Sequence, residues 1–242
     1  WQAVLRGDAY DREALAALDR LYQARQDWEL LIDVLRREID LGGEGDNTDL
    51  RFRLGYLLEV VRNEVPSSIE LYRSILWERP EHAYALEAME RLAVHLEHRQ
   101  VIAEVLEPIY REKSAWDKLA ILNEMRIELT SDLAEQARLW VASAELRESR
   151  LQDADGALEC LLQAFEAMPE DEDIRKALIR VATERGAWER LAAAFDNALA
   201  RVHDPEQKVE DLLHIAEWCR GRLRDTYRAA ERYVSVLAID AA

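Results

Sequence analysis

A twenty-residue pattern recurs three times along the chain and constrains its fold more than any other feature. It runs over Arg53–Tyr72 (RLGYLLEVVRNEVPSSIELY), Ala142–Leu161 (ASAELRESRLQDADGALECL) and His214–Tyr233 (HIAEWCRGRLRDTYRAAERY). Each copy has a small residue third (Gly55, Ala144, Ala216), an apolar one fifth (Leu57, Leu146, Trp218) and Glu eighteenth (Glu70, Glu159, Glu231). Self-similarity of this kind signals an array of stacked units, because a single unit cannot bury its apolar face alone.

The units read as helices. Leu15, Leu18, Leu21 and Tyr22 recur at three- and four-residue spacing and form one apolar stripe; Trp28, Leu31, Ile32 and Leu35 start a second after Arg25-Gln26-Asp27. Two antiparallel helices sharing a tight turn are the reading. Glycine and proline total only 8 and 5 residues and fall where helices should end, and no alternating strand pattern occurs. The expected class is all-α, with fourteen helices near 1–6, 10–25, 27–41, 47–63, 66–78, 81–97, 99–112, 115–129, 132–150, 153–168, 171–185, 187–202, 205–223 and 225–239. Pro66, Pro80, Pro169 and Pro205 sit at helix boundaries. Pro108 lies inside the 99–112 segment, and an interior proline predicts a kink or break at 104–108.

Leu41–Asp49 holds three glycines, which invites comparison with a phosphate-cradling loop. Here they follow a helix rather than a strand, and no Lys-Ser/Thr pair comes after them. The stretch reads as a connector, with Asn47 or Thr48 capping the next helix.

Two signatures resemble the tetratricopeptide repeat family. Gly186-Ala187-Trp188-Glu189-Arg190-Leu191 with Phe195 is echoed by Trp28, Glu29, Leu31 and Leu35, and by Trp116, Asp117 and Leu119. Ala157, Leu161, Ala164 and Pro169 are echoed by Ser68, Tyr72, Ile75 and Pro80, and by Ala229, Tyr233 and Val236. Family units are helix–turn–helix pairs of about 34 residues, so the resemblance implies a right-handed α-solenoid of antiparallel pairs. Asn123 departs from the pattern, standing where a large apolar residue is expected.

Trp116 and Trp188 are 72 residues apart but Trp28 and Trp116 are 88 apart. The middle of the chain therefore holds one supernumerary helix near 81–112. Leu106, Tyr110, Ser114 and Trp116 keep the family spacing, which leaves 81–97 as the insertion. Residues 1–242 are read as a single array with sub-units near 8–80, 81–169 and 170–240. Trp1–Leu5 matches Tyr72–Leu76 and Tyr233–Leu237, and the last helix carries Tyr233, Val236, Leu237 and Ile239 without a polar cap. The expectation is a fragment of a longer array, with head-to-tail self-association through uncapped ends.

Acidic residues number 49 against 32 basic, a formal net charge of −17 that repels phosphate backbones and argues against nucleic acid as partner. No apolar run reaches the roughly 18 residues of a membrane span. Cys160 and Cys219 occupy apolar-periodic positions and read as buried hydrophobes of a reducing compartment, the cytoplasm.

No constellation suits catalysis. His95 and His98 flank Glu97 without a third metal ligand in view, and His214 and Cys219 share a helix without facing each other. The reading is non-enzymatic, with no cofactor and no metal. The resemblance implies a concave surface lined by the first helix of each pair, whose recognition positions map onto Asp49, Phe52, Tyr56 and Glu59, then Arg138, Val141, Glu145 and Glu148, then Asp211, Glu217 and Arg220. Carboxylates there would hold Lys or Arg while Phe52 and Tyr56 pack on apolar side chains of a basic or amphipathic peptide. The alternative is a spacer segment of a larger repeat protein, with no ligand of its own.

Overall fold

The structure is a computed structural model, and it describes residues 1–42 and 47–240. Residues 43–46 of the glycine-rich connector lie outside the described part. Among the described residues there are fourteen α-helices and no strand. They are α1 (Gln2–Gly7), α2 (Arg12–Arg25), α3 (Trp28–Asp40), α4 (Thr48–Val60), α5 (Val65–Glu78), α6 (Ala83–Leu92), α7 (Arg99–Glu112), α8 (Trp116–Leu129), α9 (Leu133–Ser149), α10 (Ala154–Ala167), α11 (Glu172–Arg185), α12 (Trp188–Ala198), α13 (Pro205–Trp218) and α14 (Thr226–Asp240). A 3-10 turn covers Leu96–His98 and a π-helical segment covers Cys219–Leu223. No helix among the described residues is long and apolar enough to cross a membrane.

Two kinds of tight turn build the hairpins, and both recur at the sequence period. In the first, a left-handed residue stands two positions before a tryptophan: Gln26, Ser114 and Gly186 precede Trp28, Trp116 and Trp188. The next N–H after Gln26 and after Gly186 reaches back to Tyr22 and Ala182, so the last helical carbonyls are satisfied. In the second, Asn63, Gln152 and Arg224 are left-handed, and the acidic residue that follows (Glu64, Asp153, Asp225) donates its N–H six residues back, to Leu58, Arg147 and Cys219. Asp153 and Asp225 then accept from the N–H of Gly156 and Arg228, so one residue closes a helix and opens the next. Among the described residues these two kinds of turn account for all five non-glycine left-handed positions.

Helix α6 breaks the alternation. It follows hairpin α4/α5 and precedes α7, and neither of its connections carries a left-handed residue, so it is the inserted helix that the Trp28–Trp116 spacing requires. It ends at Leu92, five residues before the expected limit. The break expected at Pro108 does not occur, since α7 runs unbroken over Arg99–Glu112. Pro108 is exposed, so the Glu104 carbonyl that loses its helical donor faces solvent rather than core.

The chain forms two compact units, Trp1–Lys113 and Ser114–Ala242. In the first, Leu15, Leu18, Ile32, Leu35, Leu54 and Leu58 share one core between α2, α3 and α4. In the second, α9–α14 enclose a core in which Phe165 and Phe195 stack at 4.6 Å and Trp218 meets Phe195 edge-on at 5.1 Å. Both cysteines are buried and free. Asn123 is also buried. The fold is an α-solenoid class of stacked helix pairs with one supernumerary helix.

The three turn tryptophans are half-buried, less than a seam position would make them, because each occupies the first residue of its helix beside the turn. An arginine covers the ring of two of them: Arg150 over Trp116 at 5.1 Å and Arg222 over Trp188 at 4.8 Å, both 34 residues downstream in sequence. Twenty-eight of the 32 basic residues are arginines. Many bridge neighbouring elements in the forked geometry that lysine cannot supply.

Candidate functional site

Helix α4 is apolar on two sides. Leu54, Leu57 and Leu58 enter the core, while Phe52, Tyr56 and Val60, spaced at four residues, share the opposite face. Tyr56 is 48% exposed and Val60 59%. A helix buried on one side only would carry polar residues there, so Tyr56 and Val60 form an exposed apolar face, which half-buried Phe52 continues. It borders a cavity of about 360 Å³ whose walls include Trp28, Leu31, Phe52, Arg53, Tyr56 and Val61. Phe52 also packs against Tyr72, His82 and Tyr84 at ring distances of 5.7, 5.7 and 5.9 Å, extending the aromatic surface toward α6.

Charges around the cavity are largely engaged. Arg53 donates to Asp19 at 2.5 and 2.9 Å and to Gln23 at 3.0 Å. Glu59 accepts from Arg91 at 2.7 Å and from the Tyr72 hydroxyl at 3.0 Å; burial first, then the Glu59 charge, pushes that hydroxyl well above the usual tyrosine range. Burial and the charge of Asp19 raise Glu38 above the ordinary glutamate value, opposed by Arg53. Asp49 is exposed in the first turn of α4, where, after the Asp19 hydrogen bond, its charge helps raise Arg53; among the described residues no hydrogen bond or ion pair holds its carboxylate.

The other mapped positions lie in the second unit. On α9, Arg138 is exposed and pairs with Glu135 at 3.2 Å, and Val141 packs half-buried against the core. Glu145 is exposed and its carboxylate has no partner among the described residues, whereas Glu148 is clamped by Arg180 of α11 at 2.5 and 2.8 Å, which holds its carboxyl below the usual range. On α13, Glu217 is exposed, and Arg220 is exposed on the π-helical segment beyond it. Asp211 is 0% exposed and bound to Arg175 of α11, itself 5% exposed.

Glu148 and Asp211 thus bridge the first helices of neighbouring pairs, α9 to α11 and α13 to α11, while Glu59 ties α4 to the inserted helix α6. Asp211 in particular is not presented to any partner. The sequence carried a signal for it, since Asp211 and Ile215 are four apart and Ile215 is buried. Arg175 was not singled out at all; it accompanies Asp211 by donating to the Pro169 carbonyl at 2.8 Å and lying 4.9 Å over Phe195. Burial pushes its guanidinium below the ordinary value, opposed by Glu210 and Glu170.

Groups suited to chemistry are scattered. His95 and His98 have rings 6.5 Å apart, with His98 Nε2 3.2 Å from Glu97. Among the described residues no group of three or more His, Cys, Asp or Glu side chains could hold a metal ion. Burial raises the thiols of Cys160 and Cys219, which disfavours the nucleophilic thiolate.

No protein-family model matches the chain, and no curated protein matches it. Among solved structures it is similar to a monomeric mutant of IFIT1 with Gppp-AAAA, at 15% identity and a TM-score of 0.30. That match covers 100% of this chain and 54% of the other, so the chain spans about half the length of that protein.

Proposed function

We propose that the protein is a non-enzymatic scaffold that binds a short amphipathic segment of a partner protein across α4. The observation that carries this reading is the outward stripe of Phe52, Tyr56 and Val60 beside a cavity of about 360 Å³. Aromatic side chains of this kind supply large contact area at low entropic cost, and a helix-lined apolar groove is a recurring mode of peptide capture. Apolar anchors of the partner enter the cavity between Trp28 and Tyr56. Basic residues beside those anchors suit the unpaired carboxylate of Asp49.

A second reading, a spacer whose surfaces serve its own neighbouring repeats, is favoured by Glu59, Glu148 and Asp211 being bound within the fold. Panning a displayed random-peptide library on the intact chain separates the two. The scaffold reading expects enriched peptides with a bulky apolar residue next to Lys or Arg, and binding at least about tenfold weaker to Tyr56→Ala, a loss of about 1.4 kcal/mol. No enrichment, or enriched peptides that bind Tyr56→Ala equally well, contradicts it.

A further inference from the structure

Where α5 and α7 meet beside α6, a cleft of about 390 Å³ opens within the first unit. Buried Leu76 and Ile109 and half-buried Val105 form its floor, and Val101 and Pro108 stand exposed beside them. Trp77 is 88% exposed at the edge, the most exposed large apolar side chain among those described. Two carboxylates from α7 complete the lining. Among the described residues the Glu112 carboxylate has no hydrogen-bond or ion-pair partner, and that of Glu104 accepts only from the neutral amide of Gln100 at 2.8 Å. The one lining cation, Arg73, is paired with Glu70 at 2.5 Å. The cleft is therefore apolar at its base and negative at its rim.

A further acceptor lies on the same face. Pro108 has no N–H, so the Glu104 carbonyl one turn earlier lacks its helical donor. Glu104 and Glu112 are eight residues apart on one helix, which sets them about 12 Å apart along its axis.

We propose that this cleft docks a basic amphipathic helix of a partner protein. Charge complementarity selects that occupant: its apolar stripe inserts side chains over Leu76, Val105 and Ile109, and two Lys or Arg residues seven or eight apart meet Glu104 and Glu112. Trp77 closes over the aliphatic stem of one of those cations. The residues are separate from those of the α4 cavity, so either proposal can fail alone.

The probe is a synthetic fluorescein-labelled eighteen-residue peptide, with Leu at heptad positions a and d and Lys at g, titrated with the intact chain and read by anisotropy. The expected result is binding that Glu104→Lys with Glu112→Lys weakens at least about tenfold, the loss of two close charge pairs. The same peptide with Glu in place of Lys should bind that double variant and restore the affinity. Trp77→Ala should weaken binding while Trp77→Phe keeps it, and reversing Glu145 and Glu217 together should leave affinity within about twofold. The proposal is overturned if the Lys peptide does not bind, if the Glu104/Glu112 reversal leaves its affinity unchanged, or if the loss follows Tyr56→Ala or the Glu145/Glu217 reversal instead. Self-association of the unliganded chain that disappears with the Glu104/Glu112 reversal would make the occupant a second copy, and would overturn it too.

Discussion

The ring of Tyr72 lies directly on the α-carbon of Gly55: a β-carbon at that glycine would come 2.8 Å from Tyr72 Cε1. Gly55 is the small third residue of its repeat and Tyr72 the twentieth, so this contact sets how closely α4 and α5 approach. Tyr72 is fully buried and its hydroxyl is held by Glu59 at 3.0 Å, so moving its ring carries a cost. Gly55→Ala should therefore lower stability by about 1–2 kcal/mol, overpacking outweighing the roughly 1 kcal/mol gained in helix propensity. Gly7→Ala meets nothing within 4 Å and should change stability by no more than about 0.5 kcal/mol. Thermal unfolding followed by circular dichroism compares the two; equal midpoints would remove the Tyr72 contact as the reason for the glycine.

Breaking the Arg175–Asp211 pair from one side should be costly. Arg175→Met leaves a fully buried carboxylate without its cation, and the expected loss is about 3–5 kcal/mol. Replacing both residues with leucine should recover most of it. Urea denaturation decides the matter, and a single Arg175→Met variant as stable as the parent would show that Asp211 is not held as described.

Glu38 gives a pH dependence of opposite sign to that of most surface carboxylates. Its folded-state pKa is raised, by burial and then by Asp19, so the folded protein holds the proton more tightly than the unfolded chain. Its contribution is most favourable below the ordinary glutamate value and is lost as pH rises from there through the raised value. Glu38→Gln should accordingly raise the urea midpoint at pH 7, and the difference from the parent should shrink toward pH 4. A variant less stable than the parent at pH 7 would refute this.

Trp188 and Arg222 form the clearest of the turn-covering pairs. Trp188→Ala should cost about 2–4 kcal/mol, below the full cost of a buried tryptophan because the ring is half-buried. Arg222→Ala should cost about 0.5–1 kcal/mol, and a double-mutant cycle should return a coupling of similar size. Zero coupling would mean the arginine merely rests near the ring.

The hairpin plan was legible because it is written in local signals. The tryptophan that starts a helix recurs after 88 and then 72 residues and the small residue at Gly55, Ala144 and Ala216 after 89 and then 72, and that mismatch placed the inserted helix. On α4, Phe52 and Tyr56 follow from the recognition positions that the resemblance implies, whereas Val60, one turn further along, does not. What could not be read were pairings across roughly thirty residues: Glu59 with Arg91, Glu148 with Arg180 and Asp211 with Arg175 depend on the stacking of neighbouring helices, which no local window contains. The unbroken helix at Pro108 escaped for a related reason. The cost of an interior proline is offset here by the burial of Ile102, Leu106, Ile109 and Tyr110 along the same helix, and that packing is a tertiary property.

The α4 capture site is tested most directly by hydrogen–deuterium exchange of the intact chain with and without a peptide selected on it. The account predicts slowed exchange over 48–61 and at the start of α3 around Trp28, and loss of that footprint in Tyr56→Ala. Protection confined to other helices, or a footprint that Tyr56→Ala leaves intact, would contradict the central claim.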